Sequence, residues 1–119
     1  MQIPAPGKWS KKQILGHIID SATNNHHRFV RSQFEDAPTI IYNQNEWNRC
    51  GYHQQIETGQ LIDFWTAYNK QLVQLYNLIP QENLKRECIG GVQGRVTLEE
   101  LMVNYVEHVE HHLRQIVDY

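Results

Sequence analysis

At 119 residues, with a formal net charge of −2 and 40% apolar residues, the chain has room for a single domain, residues 1–119, and enough apolar content for a core. Its charge balance excludes an electrostatic nucleic-acid binder, which needs clustered Lys and Arg; those here, such as Lys11, Arg28, Arg49 and Arg86, are scattered. There is no signal peptide and no long apolar run, which predicts a cytoplasmic protein without a membrane span, and Cys50 and Cys88 fit no metal spacing and read as reduced thiols.

Residues 1–8 hold two prolines and a glycine and form a leading loop. Ser10 opens a helix, because Gln13 three residues on completes a capping box and Trp9 can staple onto Ile14. The helical pattern runs to about Phe34. Ile14, Ile18, Asn25 and Phe29 share one side, and a polar stripe of His17, Ser21, Asn24 and Arg28 runs along its edge. Glu35 to Thr58 reads as an irregular connection, broken by Asp36-Ala-Pro38, Asn43-Gln-Asn45 and Gly51. Its Ile40, Ile41, Tyr42, Trp47 and Tyr52 suggest a segment packed down as a lid or pocket wall, with a short helical turn around Glu46 to Cys50.

A second long helix spans about Gly59 to Ile79 and stops at Pro80. Its stripe of Leu61, Phe64, Trp65, Tyr68, Leu72, Leu75 and Tyr76 reads as core. Glu87-Cys-Ile and Arg95-Val form a small hairpin around Gly90-Gly91 and Gly94. Thr97 caps the last helix, with Glu100 at the capping-box position. Leu98, Leu101, Met102, Tyr105, Val109 and Ile116 make its buried face, and His108 and His112 fall on that face while His111 points outward.

Imidazoles four residues apart on a helix lie one turn apart on one face and can grip one metal ion. His17 sits at the polar edge of another helix's core face. If the two helices are neighbours, three neutral nitrogen ligands converge and leave further positions for water or substrate. Nitrogen donors suit zinc, nickel, copper or iron. Asp20, Glu107 and Glu110 are candidates to orient the imidazoles. Asn24 and Arg28 point where a substrate would lie, and the guanidinium could clamp a carboxylate or phosphate; the alternative for Arg28 is a salt bridge at the end of the bundle. His26 and His27 read as exposed and His53 as loop surface. The alternative for the imidazoles is hydrogen-bonded core histidines, or a structural or vestigial metal site in a non-catalytic helical interaction module.

Four pieces in order carry a resemblance to a known family: Trp9-Ser10 with His17-Ile-Ile-Asp20-Ser21; Asn24 and Arg28; Glu35-Asp-Ala-Pro38 through Tyr42 to Trp47; and His108-x-x-His111-His112-x-x-Gln115-Ile116. The chain resembles the DinB-like superfamily of helical bundles, and within it the YfiT-like group of metal-dependent hydrolases related to bacillithiol S-transferases. The resemblance implies an all-α, up-and-down bundle in which His17, His108 and His112 hold one divalent metal, zinc or nickel. It implies activation of water or a low-molecular-weight thiol co-substrate, for hydrolysis or S-transfer on a small molecule. Asn24, Arg28 and Trp47 are then substrate-binding candidates. Members of the family usually carry a further helix ahead of the Trp-Ser start. Three long helices are therefore expected here, with a fourth missing or supplied by a partner, and the uncovered face predicts a homodimer.

Overall fold

The computed structural model describes residues 8–91 and 94–117, so the leading loop expected over residues 1–8 lies almost wholly outside the described residues. The chain runs α1 (Lys11–Arg31), α2 (Gln44–Cys50), α3 (Thr58–Leu78), β1 (Glu87–Ile89), β2 (Arg95–Thr97) and α4 (Leu98–Ile116), with single helical turns at His53–Gln55 and Gln81–Asn83. The three long helices fall close to where periodicity puts them. The expectation of a missing fourth is corrected: the chain has four helices, and the fourth is the short α2 inside the connection. The local reason is a cap. Asn43 accepts from the Glu46 amide, and Asn48 Nδ2 then donates to Gln13 O at 2.7 Å, pinning the turn to the start of α1.

The expected capping box starts α1, and Thr97 caps α4, where Glu100 Oε1 accepts from the Thr97 hydroxyl instead of its backbone amide. Ser10 Oγ accepts from Gln13 N, and Ser10 N donates to Gln13 Oε1. Thr97 Oγ1 accepts from Glu100 N. Such caps contribute about 1 kcal/mol each by satisfying amides that have no partner within the helix. The hairpin pairs Cys88 opposite Val96 in antiparallel register, and both cysteines are free. The segment before α2 runs along its edge, where Ile89 N donates to Pro38 O and Ile40 N donates to Ile89 O.

α1 is the central element. Twelve of its residues are buried, more than one apolar stripe requires, because the other elements cover it from several sides. Phe29 and Ala22 meet Leu72, Cys88, Val96, Leu98, Leu101 and Tyr105. Leu15, Ile18 and Ile19 meet Leu61 in a second cluster flanked by Trp65, Leu113 and Ile116. α3 is less sheltered than its stripe suggests: Leu61 and Leu72 are buried, but Phe64 and Val73 are 48% and 57% exposed. Between α3 and α4 runs an apolar groove of about 370 Å³, lined by Trp65, Leu72, Val73, Val106, Val109 and Leu113 among others. No helix among the described residues is long and apolar enough to cross a membrane.

His53 corrects the reading of a surface loop histidine. It is 8% exposed, and its Nε2 donates to Asp20 Oδ1 at 3.1 Å. The ring lies against Gly16, where an added β-carbon would stand 2.3 Å from His53 Cδ2. The absence of a side chain at residue 16 is what admits the ring, and the ring in turn clasps the α2–α3 connection to α1. Gly16→Ala is expected to destabilise the fold by about 1–3 kcal/mol through overpacking, against the roughly 1 kcal/mol that Ala otherwise gains over Gly within a helix. A denaturant double-mutant cycle with His53→Ala checks this, because the loss should largely disappear once the ring is gone. Equal losses in both backgrounds would refute the clasp.

Candidate metal centre

His17 comes from the second turn of α1, and His108 and His112 from the last turns of α4. The structure brings these three together across 91 residues of sequence. His17 Nε2 lies 3.2 Å from His108 Nε2, and His112 Nε2 lies 3.1 Å from the same atom. The three ligand atoms all lie within 4.8 Å of one another. The two short separations are close to the roughly 3.3 Å edge of a tetrahedron of nitrogens about 2.0–2.1 Å from a central ion.

This cluster is poorly suited to satisfying itself. A ring nitrogen has one in-plane position, which holds either a proton or a lone pair. His108 Nε2 therefore cannot donate to one neighbour and accept from the other, although both approach to hydrogen-bond distance. The outer nitrogens sharpen the point. His112 Nδ1 lies 2.7 Å from Gln115 Oε1; donation to that carbonyl leaves His112 Nε2 as a bare lone pair aimed at the centre. His108 Nδ1 faces Ser21 Oγ at 3.4 Å. His17 Nδ1 is buried without a protein partner among the described residues. The Trp9 ring covers His17 with centroids 4.7 Å apart. Three inward lone pairs, two of them oriented from outside, fit a divalent ion.

Burial, and then the neighbouring His108 and His112, lower the His17 pKa from its ordinary 6.5 to about 3. Burial, and then His112 and His111, lower His108 to about 4. Both rings are therefore neutral at pH 7, the protonation state a ligand needs.

Beside the triad opens a cavity of about 780 Å³. Ser21, Asn25, Arg28, Tyr42, Tyr105 and His108 line it, with Gly90 and Gly91 of the hairpin across from them. The segment that leads into α2 supplies one wall through Ile41 and Tyr42. Of the sequence-derived substrate candidates, Arg28 lines this cavity. Asn24 turns away, with Nδ2 donating to Asp20 O within α1, and its neighbour Asn25 takes the cavity position. Trp47 packs edge-on against Tyr42 and does not line the cavity.

The orienting residues also differ from those expected. Asp20 holds His53, Glu110 pairs with Arg114 at 2.6 Å, and Glu107 is exposed at the cavity mouth. Gln115 and Ser21 face the imidazoles instead. Gln115 was findable, since it stands one helical turn beyond His112. His111 is exposed as its phase requires. His26 is partly buried, with Nδ1 2.7 Å from Tyr68 Oη, so its reading as exposed is corrected; His27 is exposed.

The depressed histidines set a pH dependence. Below about pH 6.5 the unfolded chain takes up protons that the native triad refuses until about pH 3 to 4. The metal-free protein is therefore expected to be fully stable above pH 6.5 and to lose stability as pH falls toward 4. Urea midpoints across that range should fall for the native sequence and fall less for His17→Phe. Parallel slopes would contradict the assignment.

The pattern of one protein family, the DinB superfamily, matches residues 2–116. "Putative metal-dependent hydrolase OB0413" of Oceanobacillus iheyensis is 25% identical over 112 residues, covering 92% of this chain and 64% of that protein. "Putative metal-dependent hydrolase YfiT" of Bacillus subtilis is 25% identical over 114 residues, covering 94% and 64%. The chain thus spans about 64% of the length of these relatives. The solved structure of Bacillus subtilis YfiT, described as having an unusual four-helix bundle topology, superposes with a TM-score of 0.86 at 23% identity, over 97% of this chain and 67% of that one. Sequence pattern and fold agree: the chain belongs to the DinB superfamily.

Proposed function

We propose that His17, His108 and His112 hold one divalent metal ion, zinc or nickel, and that the protein is a metal-dependent enzyme acting on a small molecule by hydrolysis or S-transfer. The observation that supports this reading most is the convergence of three ring nitrogens that cannot satisfy one another. The relatives' names as metal-dependent hydrolases point the same way. A divalent ion held by three neutral imidazoles keeps its full charge and supplies a lowered pKa to a water or thiol at its open positions.

The chain's own residues would do the rest. Gln115 and Ser21 fix ring orientation. Trp9 shields His17 from water. His112 is half-buried, and the cavity that His108 lines receives the substrate. Three protein ligands beside a cavity favour a catalytic site over a closed structural one.

Metal content of tag-free protein supplied with zinc or nickel tests the reading. One ion per chain is expected for the native sequence, little for His108→Ala, and an affinity about 10–100-fold weaker for Gln115→Ala. Native protein that takes up no ion, or a His108→Ala variant that keeps it, would overturn the site. Metal with no exchangeable water would favour the interaction-module alternative.

A homodimer closed across the α3–α4 groove belongs to the same proposal. Val106 is 53% and Val73 57% exposed there, and contiguous apolar surface of this kind marks interfaces. Light scattering on the purified protein should give twice the chain mass, and Val106→Glu should give the monomer. A monomeric native protein would refute the dimer without touching the metal site.

A further inference from the structure

The cavity has two ends of different chemistry. One is the histidine triad, reached through His108. The other is Arg28, whose side chain is held in place entirely by neutral groups. Its Nε donates to Ile40 O at 3.0 Å, Nη2 to Gly90 O at 3.1 Å and Nη1 to Asn25 Oδ1 at 3.3 Å. Those three bonds use three of its five N–H groups. Among the described residues no carboxylate lies within ion-pair distance of it, whereas Arg31, Arg49, Arg86, Arg95 and Arg114 each have one. The guanidinium also faces the Tyr42 ring, with Cζ 5.7 Å from the centroid, and Gly90 lies against it with no side chain to cover it. A rigidly seated, half-buried cation without a counter-ion, at the end of an open cavity, is a site for an anion.

The separation of the two ends is also fixed. Arg28 bonds Asn25, Asn25 Nδ2 donates to Ser21 Oγ at 3.1 Å, and Ser21 Oγ faces His108 Nδ1. These three residues stand on successive turns of α1. The backbone positions of Ser21 and Arg28 are two turns apart on that helix, about 10 Å at 1.5 Å per residue. We infer that the cavity takes a small molecule carrying a carboxylate at the end remote from its reacting atom, the carboxylate seated on Arg28 and the reacting atom at the triad. This names the substrate class and rests on the metal reading above. Glu107, exposed at the mouth beside His111, sets the opposite sign at the triad end and so disfavours the reversed orientation. Asn25 is a positioning residue, holding Arg28 and Ser21 at once.

Cobalt(II)-loaded protein and ω-mercapto acids test this. A thiolate bound to cobalt gives a charge-transfer absorption whose titration reports affinity. The carboxylate of 6-mercaptohexanoate can reach Arg28 when its sulfur is at the triad, whereas 3-mercaptopropionate is too short. Expected is about tenfold or greater tighter binding of 6-mercaptohexanoate than of 6-mercaptohexanol, as one charge-assisted contact supplies. The gain should vanish in Arg28→Gln, and 3-mercaptopropionate should bind both proteins alike. Equal affinity of the acid and the alcohol for the native protein overturns the inference, as does a gain that survives Arg28→Gln; the first comparison needs no variant. If cobalt gives no d–d absorption, the metal reading has failed separately. The subsite is then read in metal-free protein from the ¹⁵N–¹H signal of Arg28 Nε, which hexanoate should shift and hexanol should not. An unmoved signal overturns it.

Discussion

Three imidazole nitrogens aimed at one point are the constraint around which this chain is arranged. Their close approach leaves at least one short contact without a proton to share, and leaving buried polar groups unpaired costs roughly 1–3 kcal/mol each. The fold maintains that approach by burying α1 between two apolar clusters and setting α4 across it. His17 is thereby 1% exposed, while His112 is half-buried. A helix with only one apolar stripe could not carry a buried histidine, a buried serine and a buried carboxylate together. α1 does so because every other long element packs on it.

The same crowding explains the supporting contacts. Gly16 admits His53, His53 holds Asp20, and Asn48 holds Gln13, so the connection from α1 to α3 is tied down within and just after α2. The outer part of that connection is free to form a cavity wall through Ile41 and Tyr42. The hairpin forms the opposite wall and is anchored by Arg86, which donates to Ser32 O and Glu35 O at the end of α1. Triad, cavity and Arg28 are therefore parts of one frame built on α1.

Much of this is legible in the sequence, because periodicity and capping are local signals. Ser10-x-x-Gln13 and Thr97-x-x-Glu100 start the helices that bear the three histidines, and helical phase separates inward His108 and His112 from outward His111. What is not legible depends on how elements meet. The burial of His53 follows from the missing side chain at Gly16, 37 positions earlier, a complementarity that no spacing rule contains. Asn25 rather than Asn24 reaches the cavity because the hairpin lies on that side of α1, a direction that helical phase alone does not assign. α2 is legible only as a short turn around Glu46 to Cys50, because it is one capped turn extended to seven residues amid breaker residues. Asp20, the nearest acid to His17 in sequence, turns instead to His53.

The central claim concerns the coordination of a single ion. X-ray absorption spectroscopy on the zinc- or nickel-loaded protein addresses it directly. The account predicts about three imidazole nitrogens near 2.0–2.1 Å, with light oxygen donors completing the shell, and the outer-shell scattering that histidine rings produce. A first shell of oxygen alone, without imidazole scattering, would contradict it.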